Sequence, residues 1–155
     1  VNGVQIRRVR FDAMVAQALI EAAMADLGER YEGDGDETPV SPSDFEPPTG
    51  AFLVGYLDGE AVACGGWRSF GDGGTVAELK RMYTAPVVRC RGMGRQVLAA
   101  VESSARSYGR TRMVLETGGR QPEAIKLYLS SGYQPIENFG YYQDAPDVVS
   151  LGRDL

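Results

Sequence analysis

The chain has 155 residues, with 16 Lys or Arg, 21 Asp or Glu and no His, giving a formal charge of −5 and a pI of about 4.8. That length suits one domain, spanning residues 1–155, that buries a core without disulfide or metal staples. The missing imidazole excludes Ser-His-Asp hydrolysis, histidine-bound zinc and HExxH proteolysis, so no metal is expected and any acid or base is a carboxylate, Tyr, Cys or Lys. Cys64 and Cys90 form no CxxC pair and point to a reducing, cytoplasmic setting. The opening Val1-Asn2-Gly3-Val4 has no apolar leader run, nothing predicts a membrane anchor, and the acidic balance argues against nucleic acid.

Along the chain, residues 5–10 read as a short strand. Asp12 is placed to cap a helix bearing Met14, Val15, Ala18, Leu19, Ala22 and Ala23, with Gly28 as its left-handed stop. Residues 29–50 turn to Gly, Pro, Ser and acid and predict a long loop, with a helical turn near Ser43. Strands at 51–57 and 60–67 flank Asp58-Gly59, a two-residue hairpin turn, and a third antiparallel strand covers 75–83. A helix follows with Met93, Val97, Leu98, Val101 and Ala105 on one face, stopped by Gly109, then an apolar strand at 113–115. Pro122 opens a last helix through Tyr128, and strands at 133–136 and 148–151 end the chain. The order predicts an α/β fold of the α+β kind: a mixed, mostly antiparallel sheet flanked by helices, with one strand-helix-strand crossover.

The stretch Arg89-Cys90-Arg91-Gly92-Met93-Gly94 joins a strand to a helix. Glycines there let backbone approach a ligand, while free N–H groups and the helix dipole favour anions. Arg89, Arg91 and Arg95 add a local positive field, so an anionic ligand larger than one phosphate is expected; on these letters alone, a packing device with a solvated face competes. A Walker loop is absent, and the dinucleotide fingerprint needs a small residue where Val97 stands.

A longer pattern is more specific. Glu78-Leu79-Lys80-Arg81-Met82-Tyr83, Arg89-x-x-Gly92-x-Gly94, Leu115-Glu116-Thr117, Ala124-Ile125-Lys126-Leu127-Tyr128 and Gly132-Tyr133 resemble, in order and spacing, the GNAT superfamily of acyl-CoA-dependent N-acyltransferases. The resemblance implies a V-shaped split in the sheet with acetyl-CoA between the splayed strands. It implies that backbone at Met82, Tyr83 and Thr84 holds the pantetheine arm and acetyl carbonyl, and that Arg89, Cys90, Arg91, Gly92, Met93, Gly94 and Arg95 wrap the pyrophosphate. Many relatives carry an Asn where this chain reads Gly118-Gly119-Arg120-Gln121, and Gln121 offers an amide in its place.

Acetyl transfer to nitrogen needs a neutral amine, a proton acceptor for it and a proton donor for the departing thiolate. Glu78 is the expected base, against a plainer reading in which it pairs with Lys80 two residues along the same strand face. The Leu-Tyr-x-x-x-Gly-Tyr context implies that Tyr128 is the general acid, against a plain core aromatic. A ping-pong route through Cys90 is disfavoured, and Cys64 reads as core. The function expected is direct transfer of acetyl from acetyl-CoA to a primary amine of a small molecule or protein. The alternative is a non-catalytic acyl-CoA sensor or interaction module of the same fold. Residues 29–50 would shape the acceptor side and, with Tyr141, Tyr142 and Asp144, could attract a cationic amine, or simply form a solvated loop. A homodimer stays open.

Overall fold

The computed structural model describes residues 3–155. Its seven-stranded sheet runs β1-β2-β3-β4-β5-β7-β6. The strands are β1 (Val4–Val9), β2 (Gly50–Leu57), β3 (Glu60–Phe70), β4 (Val76–Thr84), β5 (Arg112–Gly118), β6 (Gln134–Pro135) and β7 (Val148–Asp154), and the helices α1 (Met14–Tyr31), α2 (Met93–Ser107) and α3 (Pro122–Ser130). β1 to β4 form an antiparallel meander, with Asp58 and Gly59 both at positive φ in the hairpin turn. β4 then pairs parallel with β5, and β7 inserts antiparallel between β5 and the short β6.

Alternation along the strands splits the core between two faces. On one face α2 lays Met93, Val97, Leu98, Val101 and Ala105 against Trp67, Leu79, Met113 and Leu115, as their helical spacing predicts. Glu102 is buried on the same helix because the Tyr133 hydroxyl donates to its Oε2 at 2.8 Å. On the other face α1 packs on Phe52, Val54 and Cys64, beside a stack of Phe11 on Phe45 with ring centroids 4.5 Å apart.

Three local expectations change. The buried face of α1 is Ala16, Leu19, Ile20 and Ala23, whereas Met14, Ala18 and Ala22 are exposed; Ala, Met and Ile on every side of this helix leave its orientation to the sheet it packs on. Asp12 makes no helix cap, because Arg10 takes both its carboxylate oxygens at 2.9 and 3.0 Å. The helix also runs through Gly28 to Tyr31 and closes with Glu32 in the left-handed conformation, its N–H on the Gly28 carbonyl.

Two backbone features build the site. The β4–β5 pairing is confined to Val76–Arg112, Ala77–Met113 and Glu78–Val114. Beyond that point the two strands diverge, leaving facing edges of backbone N–H and C=O groups that do not pair with each other. The β3–β4 register also shifts between Cys64 and Gly66, and Arg81 opposite has φ of 60°. A bulge of this kind interrupts side-chain alternation. Lys80 and Arg81, neighbours in sequence, therefore turn to the same face and the same partner.

Candidate active site

A cavity of about 300 Å³ passes through the opening between β4 and β5. Leu79 to Met82 form one wall and Leu115 to Gly118 the other. Tyr128 of α3 closes it on the α2 face, while Leu27 and Tyr31 of α1, Asp36 of the acidic loop and Tyr142 of the loop before β7 enclose it on the α1 face.

Tyr128 is buried, with its ring edge-on to Tyr133 at 5.7 Å, and its hydroxyl has no hydrogen-bond partner among the described residues. Burial raises its pKa above the usual phenol value, so it stays protonated at neutral pH. Tyr128 is therefore part of the core and also a wall of the cavity.

Glu78 sits elsewhere. Its side chain is 3 % exposed, and its Oε1 accepts from Arg68 Nε at 2.9 Å. With Arg68, Asp44 and Tyr141 it lines a second, smaller cavity beside the first. The pairing with Lys80 weighed from the sequence does not form, because Lys80 and Arg81 both bind Asp36.

Asp36 is a hub. It accepts from Lys80 Nζ at 2.9 Å, from Arg81 Nη1, from the Thr38 N–H at 3.0 Å and from the Tyr142 hydroxyl at 3.1 Å. Burial alone would raise its pKa, but Lys80, Arg81 and the Thr38 hydrogen bonds outweigh that and hold it far below the usual carboxylate range. The neighbouring acids are occupied as well: Asp44 accepts the Ser41 N–H at 2.9 Å and faces Arg68, and Glu46 lies 3.4 Å from Arg10. Asp144 stays at the surface. The acidic loop thus borders the cavity, yet its inward charge is matched by Lys80, Arg81 and Arg68 rather than left to attract a cationic amine.

The sequence did not single out Glu116 for chemistry. It lies on β5 opposite Lys80, and its Oε2 accepts the Tyr142 N–H at 3.1 Å. Its Oε1 is buried with no hydrogen-bond partner among the described residues. Burial raises its pKa above the usual carboxylate value, and the charges of Glu78 and Asp36 add to that rise.

The residues expected to hold the cofactor divide between the cavity wall and the start of α2. Met82 and Gln121 border the cavity, with the Gln121 amide 3.4 Å from the Tyr31 hydroxyl. Tyr83 lies under the Arg89 guanidinium at 5.9 Å, and the Thr84 carbonyl accepts from Arg89 Nε at 2.9 Å, so Arg89 is spent in part on bracing the end of β4. Cys90 and Gly92, both at positive φ, turn the chain into α2. The first helical bond there is Gln96 N–H to the Gly92 carbonyl, which leaves the N–H groups of Met93, Gly94 and Arg95 without helical acceptors. The Met93 side chain is buried in the core, so only its backbone serves a ligand. Gly94 packs so closely that a Cβ there would meet Leu127 at 3.3 Å and Thr84 at 3.4 Å. Arg91 is exposed, and Arg95 is tied to the Ser130 and Ser131 hydroxyls at 2.8 and 3.1 Å. Unpaired strand edges, free helix amides and arginines fit an elongated acyl carrier ending in phosphates.

Comparison with known proteins agrees. The acetyltransferase (GNAT) family pattern matches residues 16–133. An IAA acetyltransferase of Azospirillum brasilense is 34% identical over 140 residues, 90% of this chain and 88% of that protein. A solved structure from Klebsiella pneumoniae, assigned to the acyl-CoA N-acyltransferases, superposes with a TM-score of 0.80 at 32% identity over 98% of this chain and 97% of the other. A GNAT acetyltransferase of Elizabethkingia anophelis, solved with acetyl-CoA bound, shares the fold with a TM-score of 0.71 at 17% identity over the full length of both chains. The chain belongs to the GNAT family of acetyltransferases. It is an acetyl-CoA-dependent N-acetyltransferase, and its second substrate is an amine.

Proposed function

We propose that this enzyme moves acetyl directly from acetyl-CoA to a primary amine inside the β4–β5 opening. The observation that carries the reading is the cavity running through the sheet, with a protonated phenol at one end and a carboxylate wall at the other. Strand edges at Met82 and beyond would hold the pantetheine arm by main-chain hydrogen bonds, as a further strand would. The free amides of Met93, Gly94 and Arg95, with Arg91 and Arg95, would take the phosphates.

Tyr128 is assigned the proton donor to the departing sulfur. A phenol that burial keeps neutral still carries its proton when the thiolate forms beside it, and so has one to give. Glu78 is a poor match for the base, because its carboxylate is paired with Arg68 and it lies off the cavity wall. Its part is the negative charge it adds to this face.

Calorimetric titration with acetyl-CoA, with ATP and NAD as controls, tests the reading without a known acceptor. Selective binding of acetyl-CoA is expected. Equal or tighter binding of ATP or NAD would overturn the assignment of the α2 N-terminus.

A further inference from the structure

We infer that the acceptor is a monoamine whose nitrogen is carried on an uncharged apolar body, an alkyl chain or an aryl-alkyl group, seated in a slot between α1 and the loop before β7. This rests on direct transfer inside the β4–β5 opening and concerns the amine that enters it.

The slot lies on the side that the cofactor leaves free. Tyr128 and the start of α2 stand on the α2 face, so the second substrate reaches the acetyl group from the α1 face. There the cavity is walled by Met24, Leu27 and Tyr31 of α1, by Ala145 of the loop before β7 and by Val148 at the start of β7. Steps of three and four residues put Met24, Leu27 and Tyr31 on one stripe of the helix, beside the stripe of Ala16, Leu19, Ile20 and Ala23 that faces the core. All three are half-buried. Yet Leu27 and Tyr31, like Ala145 and Val148, belong to neither half of the hydrophobic core among the described residues. Apolar side chains that complete no core and line a reaction cavity suit an apolar ligand.

The charges of the same wall are already engaged. Asp36 binds Lys80 and Arg81, and Thr38 accepts a further N–H from each, at 3.0 Å on its hydroxyl and 3.2 Å on its carbonyl. Glu116 has one oxygen on the Tyr142 N–H at 3.1 Å and the other sealed beneath Gly140, where an added Cβ would stand 2.5 Å away. Asp147 is exposed at the rim, where water screens it. A second charge on the acceptor would therefore enter the slot without a buried counter-ion of its own, and burying a charge unpaired is costly. A methyl group or a ring in the same place has no such cost and gains from leaving water.

The test compares three amines of equal chain length that end in a methyl, an ammonium or a carboxylate: hexylamine, 1,5-diaminopentane and 5-aminopentanoate. Amine-dependent thiol release gives kcat/KM for each, and for the shorter alkylamines from propylamine upward. The value is expected to rise about fourfold for each CH2 added. Hexylamine should exceed both charged analogues at least about tenfold. Leu27→Asp puts a carboxylate in the slot and should lower hexylamine at least about tenfold while lowering 1,5-diaminopentane less. Leu27→Ala, a milder change on the same helix, should reduce the gain per CH2. Melting temperature, and acetyl-CoA affinity within about twofold of wild type, check that fold and cofactor site survive. A charged analogue as good as hexylamine, a kcat/KM indifferent to chain length, or Leu27 variants that lower every amine alike would each overturn the slot while leaving acetyl transfer in place. A wild type that binds acetyl-CoA but releases no thiol with any amine overturns the functional reading itself, and the slot with it.

Discussion

Replacing Asp36 by Asn probes the joint between the acidic loop and β4. Asp36 is the shared counter-ion of Lys80 and Arg81, whose side chains are each 5 % exposed. Asn keeps the shape and an acceptor for the Thr38 N–H but removes the charge. Two buried cations then lose their carboxylate, with Lys80 left on the Thr38 hydroxyl at 3.0 Å and Arg81 on the Thr38 carbonyl at 3.2 Å. Breaking a buried pair from one side costs about 3–5 kcal/mol, chiefly because the surviving charge is uncompensated. For a chain of this size that corresponds to roughly 6–20 °C in melting temperature. Urea unfolding at neutral pH measures the loss, and adding Lys80→Met to Asp36→Asn should recover part of it. The pH dependence gives a second check. Because the folded pKa of Asp36 is depressed, its stabilisation is complete above the usual carboxylate range and fades as pH falls toward the folded value. The gap between wild type and variant should thus hold at neutral pH and narrow only below about pH 4. A loss under about 1 kcal/mol at neutral pH would refute the reasoning, since that is what an exposed pair contributes.

Other consequences are equally direct. Tyr128→Phe should keep acetyl-CoA affinity and lower kcat by tens of fold, read as thiol release; an unchanged kcat would return Tyr128 to a purely structural role. Acetyl-CoA affinity should weaken as salt rises and weaken further in Arg91→Gln, because phosphate contacts near an exposed arginine are screened; a salt-independent Kd would argue against phosphates at the α2 N-terminus. A thiol reagent at pH 8 should modify Cys90, which is exposed, and spare Cys64, whose thiol burial pushes up to about 12. Peptide mapping after labelling would detect the opposite.

How far the sequence reaches depends on whether a feature is local. The inward face of α2 is legible because five apolar residues at helical spacing need only one sheet to meet. The Asp58-Gly59 turn is legible because positive φ is written into Gly and tolerated by Asp. The bulge at Arg81 is not, since it arises from a register shift against Cys64 and Gly66 on another strand. That one shift brings Arg81 onto the face of Lys80, so that both bind Asp36, 45 and 44 residues away in sequence, while Glu78 pairs with Arg68 on the neighbouring strand. Glu116 was hidden for the same reason. On its own strand it is one acid beside Thr117, and only the loop carrying Gly140 and Tyr142 folds over it to leave a buried, half-bonded carboxylate. Tyr128 was visible through the pattern around it, while its place as both core and cavity wall needed the divergence of β4 and β5.

The most direct measurement is thiol release from acetyl-CoA by the purified chain over a panel of primary amines, with acetylated product confirmed by mass spectrometry. The account predicts release that depends on both protein and amine, matched by product one for one. Tight acetyl-CoA binding with release no faster than the protein-free rate for every amine offered would contradict it.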